Sequence, residues 1–278
     1  MTTLPRAILI TGCSSGIGHH CAHALRARGW RVFAACRKRE DCDRLIAEGF
    51  ESPQLDYSDP ASIETALAEV LAATGGRLDA LFNNGAHACP GAVEDLPPGA
   101  LREIFEVNVI GWHDLTRRVI PVMRAQGFGR IVQNSSVLGF TPYPWRGAYG
   151  ASKFALEGLS RILQLELSDT PIKVVLIQPG PIASRIRVNS IPHFERWIDW
   201  RNSARRADYE GRLLQRLYQG GPKDRWELAP EAVARVLIKA LDHPNPRPRY
   251  TVTLPSAVSA WLVRLVPDRL LMRFLARG

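Results

Sequence analysis

The sequence predicts an α/β fold, a doubly wound and mostly parallel seven-stranded sheet with helices on both faces. Three observations carry this. Strand-like runs alternate with helix-length amphipathic runs along most of the 278 residues, and that alternation implies right-handed βαβ crossovers. Two strand candidates, AILIT and IKVVLIQ, are nearly continuous apolar runs, as strands buried on both faces are. A glycine-rich turn, TGCSSGIG, separates the first strand from the first helix. The length and a hydrophobic content of 46% suit one large domain over residues 1–278.

In chain order, Ala7–Thr11 is the first strand, and a helix runs from the glycines to about Arg28. Arg31–Cys36 is the second strand and Gln54–Tyr57 a brief third. Asp59-Pro60 reads as an N-cap followed by proline at the first helical position. Ile63, Leu67, Val70 and Leu71 then share one helix face. Leu78–Asn83 is strand four and ends in the Asn83-Asn84-Gly85 turn; a helical region follows from about Pro98 to Met123. Arg130–Asn134 is strand five, Tyr149–Leu167 a helix with an apolar stripe, and Ile172–Gln178 strand six, stopped by Pro179-Gly180. The pattern breaks over 183–228, which is rich in arginine and holds Trp197, Trp200 and Trp226; this segment reads as a lid. A helix at about Pro230–Leu241 and a last strand at Arg249–Thr253 follow. Residues 255–278 form an apolar tail punctuated by Arg264, Arg269, Arg273 and Arg277, and the chain has no internal repeat.

A net charge of +9 suits an anionic partner (nucleic acid, an anionic membrane, a phosphorylated cofactor) or a plain solvated basic surface. Its arginines form no runs. The five cysteines (Cys13, Cys21, Cys36, Cys42, Cys89) are odd in number and contain no C-x-x-C pair, which argues against a disulfide framework or a zinc ribbon. The N-terminus runs straight into a strand without room for a signal peptide, and no stretch approaches the ~18 apolar residues of a membrane span. A cytoplasmic setting is the expectation.

Gly12, Gly16 and Gly18 fit a phosphate-cradling loop: without side chains the backbone turns tightly and approaches a pyrophosphate at a helix N-terminus. About 20 residues on, the place that meets an adenine ribose holds Arg37-Lys38 instead of an acidic residue, which favours a 2′-phosphate and hence NADP(H). The same helix carries His19, His20 and His23, and His19 and His23 are i, i+4 neighbours able to share an ion. No acidic partner lies within the segment, so no metal site is expected.

Tyr149 and Lys153 stand four apart at the start of a helix, on one face. A phenol near pKa 10 transfers protons poorly at neutral pH, and a neighbouring ammonium favours its phenolate. Asn134-Ser135-Ser136 ends strand five, where ligands of open α/β sheets bind and a serine hydroxyl can hold a carbonyl oxygen. Capping is the alternative role of these serines.

Taken together, T-G-x-x-x-G-I-G, the Asn-Asn turn, a serine 13 positions before the tyrosine, Y-x-x-x-K and P-G resemble the short-chain dehydrogenase/reductase family over residues 6–184. The likeness is greatest to bacterial NADP-dependent oxidoreductases near the retinol and hydroxysteroid branch. The resemblance implies a Rossmann-type fold. It makes Tyr149 the general acid/base, has Ser136 steady the substrate oxygen, and assigns Lys153 to lowering the tyrosine pKa and holding the nicotinamide ribose. Asn108, in VNVIG, would complete a proton relay through water. Gly12, Ser14, Ser15, Gly16, Ile17 and Gly18 would form the phosphate loop, with Arg37 and Lys38 at the ribose and Asp56 at the adenine. Asn84 would sit beside the cofactor, and Pro179, Gly180, Ile182 and Ser184 would line its nicotinamide side. The sequence departs from the family pattern at Gly85-Ala86, which stand in exchanged order, and at Ser184, which replaces threonine.

Phe140, Tyr143 and Trp145 either line a pocket for a medium-sized apolar aldehyde, ketone or alcohol or pack the lid, and His87 either faces that pocket or, as the favoured reading, is an exposed turn residue. The tail docks on its own domain or a second subunit, or rests on a membrane. A homo-oligomer, dimer or tetramer, is expected. The rival reading is a non-catalytic dinucleotide-binding regulator or nucleic-acid binder, encouraged by the charge. The complete set Asn108, Ser136, Tyr149 and Lys153 opposes it, so no nucleic acid is expected as a partner.

Overall fold

The computed structural model describes residues 5–220 and 224–276. Strands β1 (Ala7–Thr11), β2 (Arg31–Ala35), β3 (Ala80–Asn83), β4 (Gly129–Asn134), β5 (Ile172–Gln178) and β6 (Arg249–Thr251) form one sheet in the order β2-β1-β3-β4-β5-β6. Every pairing is parallel. The winding reverses between β1 and β3, where a doubly wound sheet opens its ligand crevice beyond the strand ends.

Helices α1 (Gly16–Arg26), α2 (Arg39–Ala47), α3 (Pro60–Thr74), α4 (Pro98–Phe105), α5 (Gly111–Ala125) and α6 (Gly147–Glu166) alternate with the first five strands. The segment after β5 holds the short helices α7 (Ile186–Asn189), α8 (Ile191–Trp197) and α9 (Arg206–Asp208). Then α10 (Glu231–Asp242) precedes β6, and α11 (Leu254–Leu265) and α12 (Asp268–Leu275) follow it. Alternate strand residues serve opposite faces: Ile8 and Ile10 pack with Leu25 of α1 and Leu237 of α10, while Leu9 packs with Ile63 of α3 and Leu115 of α5. Each such fully buried Leu or Ile contributes about 1.5–3 kcal/mol relative to exposure.

The sheet has six strands, one fewer than the sequence predicts. The segment around Gln54 touches β2 only at the isolated bridges Phe33–Glu51 and Cys36–Gln54. Ala34 N donates to Glu51 O and Leu55 N to Cys36 O, but Pro53 between them has no N–H to continue the ladder. The Ser52 hydroxyl takes its place on Ala34 O at 2.6 Å. Helix α2 escapes periodicity because only Cys42 and Leu45 of its nine residues are buried. Asp59 caps α3 as its position implied, its Oδ1 accepting from Ala61 N at 2.9 Å.

The long helix predicted from Pro98 is one rod with a wide π turn, Glu106–Ile110, between α4 and α5. The segment that the sequence reads as a lid is joined at its base where Ile182 bridges Leu228 and encloses a small core, in which Phe194, Ile198, Tyr209, Leu213 and Leu217 meet Cys89, Ala92 and Ala100. Trp145, at φ 65°, packs edge-on against Tyr209 in that core, so it fastens this segment to the body. No described helix is long and apolar enough to cross a membrane. The tail helices stay largely uncovered, with Trp261, Leu265, Met272 and Phe274 exposed.

Candidate active site

The glycine loop ends β1 and starts α1. Gly12 and Gly16 have φ +66° and +60°, a region costly for any residue with a Cβ. A side chain on Gly12 would come 2.5 Å from Gly85 Cα, and one on Gly18 would strike the Gly12 carbonyl. The β1 and β3 turns therefore interlock. Thr11 Oγ1 accepts from Asn84 N (2.9 Å) and Gly85 N (3.1 Å), while Asn84 Nδ2 donates to Thr11 O at 3.0 Å. Asn134 Nδ2 at the end of β4 donates to Asn84 Oδ1 at 2.8 Å, so Asn84 ties three strand ends together. The exchanged Gly85 keeps the turn ordered, because these bonds and its carbonyl, which accepts from Trp112 Nε1 at 2.7 Å, need no particular side chain. Ser14, Ser15 and Ile17 complete the loop, and Cβ of Ser184 lies 3.5 Å from where a Gly16 Cβ would be. Pro179 O accepts from Val137 N at 2.8 Å, Gly180 backs against Thr253, and Ile182 packs on the core beside α1.

Arg37 and Lys38 follow β2, exposed and without an ion pair among the described residues. Asp56 caps the turn after the edge segment, its Oδ1 accepting from Ser58 N and Oγ at 2.9 and 2.7 Å. Cys13, Cys21, Cys36, Cys42 and Cys89 are all buried free thiols, and burial pushes Cys36 and Cys89 up to about 12, as inert packing groups require.

Across the crevice, α6 presents Tyr149 and Lys153 one turn apart. Lys153 is buried: its Nζ donates to Asn134 O at 2.8 Å and lies 4.2 Å from the Trp112 ring centre and 5.6 Å from that of Tyr149. Burial lowers its pKa to about 7, with Glu157 one turn on opposing the shift. Crowding raises the Tyr149 phenol to about 12, and the Ser136 hydroxyl beside it pulls the other way. Ser136 caps the turn after β4, its Oγ accepting from Leu138 N at 3.1 Å, which leaves the hydroxyl proton for the phenol side. Ser135 is buried beneath, so of the two serines Ser136 faces the tyrosine.

Asn108 sits in the π turn, the kind of helix irregularity that often marks functional sites. Its Oδ1 accepts from His87 N (3.1 Å), and its Nδ2 donates to His87 O (2.9 Å) and Ser152 Oγ (3.2 Å). Ser152 Oγ donates in turn to the Tyr149 carbonyl at 2.7 Å. Both amide N–H groups are thus engaged in fixing the β3 loop to the base of α6. His87 is buried, contrary to the expectation of an exposed turn residue: its ring stacks on His193 of α8 with centroids 4.0 Å apart, and Glu103 of α4 bonds His193. Trp112 and this histidine pair belong to the site's surroundings but have no local sequence signature, since their partners are remote in the chain.

A serine hydroxyl, a phenol and a buried ammonium at the strand ends, beside an open glycine cradle, can orient a carbonyl or alcohol and exchange a proton with it. The chain belongs to the short-chain dehydrogenase/reductase family: the model of the family described as short chain dehydrogenase matches residues 6–193. Among its relatives, the chain is 37% identical over 272 residues to the uncharacterized oxidoreductase YbbO of Escherichia coli (strain K12), covering 98% of this chain and 94% of the relative. It is 33% identical over 263 residues to 17-beta-hydroxysteroid dehydrogenase type 1 of Homo sapiens (88% and 77% covered). It is 30% identical over 275 residues to the NADPH-dependent 3-dehydrocapnine reductase of Ornithobacterium rhinotracheale (96% and 94%). A short chain dehydrogenase/reductase from Burkholderia phymatum in complex with NAD shares the fold with a TM-score of 0.78 at 25% identity, covering 95% of this chain and 94% of that one. The likeness to the hydroxysteroid dehydrogenase agrees with the branch that the sequence motifs indicate.

Proposed function

We propose that this oxidoreductase is NADP(H)-dependent and interconverts a medium-sized apolar carbonyl compound, retinoid- or steroid-like in size, with its alcohol, Tyr149 acting as general acid/base. The observation that carries the reading is the juxtaposition of Tyr149, Ser136 and buried Lys153 beside a glycine turn packed so closely that a Cβ at Gly12 or Gly18 would strike Gly85 or the Gly12 carbonyl. The residues present fit a dinucleotide: three side-chain-free positions at a helix N-terminus for its phosphates and two unpaired cations after β2 for a 2′-phosphate. When bound, the nicotinamide supplies or accepts hydride.

The protein's own groups do the rest. Ser136 donates to the substrate oxygen and fixes it beside the phenol. Tyr149 gives that oxygen its proton in reduction and removes it in oxidation. Lys153, when protonated, favours the phenolate against the burial that raises the phenol to about 12 even with Ser136 pulling the other way. Asn108 acts as a positioning residue through Ser152 and His87. The apolar lid core and the relatives named as a steroid dehydrogenase and an NADPH-dependent reductase support the substrate size and the cofactor. We further read the protein as a cytoplasmic homo-oligomer, on the exposed apolar stripe of α6 (Phe154, Leu159, Ile162, Leu165).

The test is steady-state reduction of a panel of aldehydes, ketones and retinoids with NADPH and NADH. Tyr149→Phe is expected to lose at least about 10²-fold in kcat while NADPH still quenches protein fluorescence, since general acid–base catalysis contributes roughly 10²–10⁴-fold. Arg37→Ala is expected to raise KM for NADPH and leave KM for NADH unchanged. Unaltered turnover in Tyr149→Phe, or equal effects of Arg37→Ala on both cofactors, would refute the corresponding assignment.

A further inference from the structure

Helix α1 carries a second constellation, built on His19 and His23. His19 Nε2 and His23 Nε2, one helical turn apart, both lie 2.9 Å from Glu48 Oε2 and 3.3 Å from each other. Glu48 follows the last turn of α2, so the acidic partner missing from the histidine segment arrives from 25 residues away in sequence. His20 points elsewhere, its Nδ1 being 3.6 Å from Glu231.

We propose that His19, His23 and Glu48 bind a divalent transition-metal ion of the zinc class. A tetrahedral ion with bonds of roughly 2.0–2.1 Å holds neighbouring donor atoms about 3.3 Å apart, close to the observed triangle. As a hydrogen-bonded cluster the triangle leaves one short contact unbonded: the ionised carboxylate only accepts, so each Nε2 carries a proton and donates to Oε2, and the two nitrogens 3.3 Å apart share no hydrogen bond. Three lone pairs converging on one cation would give every one of these close contacts a bond.

The surroundings orient the donors. Glu48 Oε1 accepts from Arg44 Nη1 at 2.9 Å, and the His23 ring meets Phe50 edge-on at 4.8 Å. The three side chains are 29–38% exposed, leaving the fourth corner of the tetrahedron to water. Arg26 Nη2, 3.4 Å from His23 Nδ1, must turn aside when that nitrogen takes the imidazole proton; its stacking on Phe50 and its bond to the Glu48 carbonyl do not depend on that contact. Arg44 Nη2 also donates to Ser14 O at 2.7 Å, so the site adjoins the phosphate loop through one side chain. The other histidine group, His87, Glu103 and His193, is a weaker candidate, because its two rings stack and Trp197 and Arg196 already occupy the second Glu103 oxygen.

The experiment uses full-length, tag-free protein stripped with a chelator. Calorimetric titration with ZnCl2 is expected to show one equivalent bound with proton release. Titration with CoCl2 is expected to produce the intense visible bands of a tetrahedral ion. His23→Ala and Glu48→Gln, each checked by circular dichroism for retained fold, should weaken Zn2+ binding at least about tenfold and abolish the Co2+ bands, while His193→Ala should leave both unchanged. Absence of binding to the unmodified protein, binding undiminished in Glu48→Gln, or loss in His193→Ala alone would overturn the proposal. Because the readout is metal binding, it stands or falls apart from the cofactor and substrate assigned above.

Discussion

Lys153 places an ammonium inside the protein, 2.8 Å from the Asn134 carbonyl and 4.2 Å from the Trp112 ring centre. With its pKa lowered from 10.5 to about 7, the folded chain holds fewer protons on this group than the unfolded chain between those values. Stability therefore gains from this group as pH rises from about 7 to 10, because the cost of burying charge is relieved. The buried thiols of Cys36 and Cys89 act oppositely above about pH 8.5, where the unfolded chain releases their protons first. The informative quantity is thus a difference: the stability of the unmodified protein minus that of Lys153→Met, from urea denaturation at pH 7, 8.5 and 10, is expected to grow with pH. A flat difference would mean that Lys153 keeps an ordinary pKa. Tyr149, Lys153 and Ser136 were legible in the sequence because their spacing on α6 and at the end of β4 is itself the chemistry. Trp112, beneath Lys153, was not, since it reaches the site only when α5 folds against β3 and β4.

At the level of elements, Glu103 of α4 fastens α8 of the segment after β5 to the body. Its Oε2 accepts from Trp197 Nε1 at 2.8 Å, its Oε1 bonds His193, and Arg196 lies 3.3 Å away. Burial acts to raise the Glu103 carboxyl, but these partners lower it. Burial together with His193 brings His87, stacked on the latch, down to about 4, so at neutral pH it packs there uncharged. Glu103→Ala is expected to speed hydrogen exchange in Ile191–Trp197 by roughly ten- to a hundredfold, since losing a charge-assisted bond costs about 1.5–3 kcal/mol. It should also raise KM for substrate with little change in KM for the cofactor. Exchange unchanged in α8 would show that the lid core alone holds it. Sequence periodicity found the long helices here and missed α2 and the lid helices, whose buried residues are too few or answer to partners more than 90 positions away, as Tyr209 does to Ala92.

For the whole molecule, the uncovered stripe on α6 bears on assembly. Leu165 is 75% exposed and Ile162 54%, an arrangement that a second copy would cover. Leu165→Glu is expected to weaken self-association at least about tenfold in sedimentation equilibrium, because burying that Leu is worth roughly 1.5–3 kcal/mol and an unpaired buried carboxylate costs more. An unchanged sedimentation profile, or an unmodified protein that is already monomeric, would overturn the assignment of this face to self-association. The sequence by itself determined the winding of the sheet, the glycine loop and the pairing of Tyr149 with Lys153 on α6. These depend on period, on backbone freedom and on residues within one helical turn, all local quantities. Only the tertiary structure decided that the edge segment near Pro53 is no strand, that His87 is buried against the lid, and that Glu48 meets His19 and His23. Each of these depends on which distant segments pack together, and that is set by the closing of the core rather than by any stretch within it.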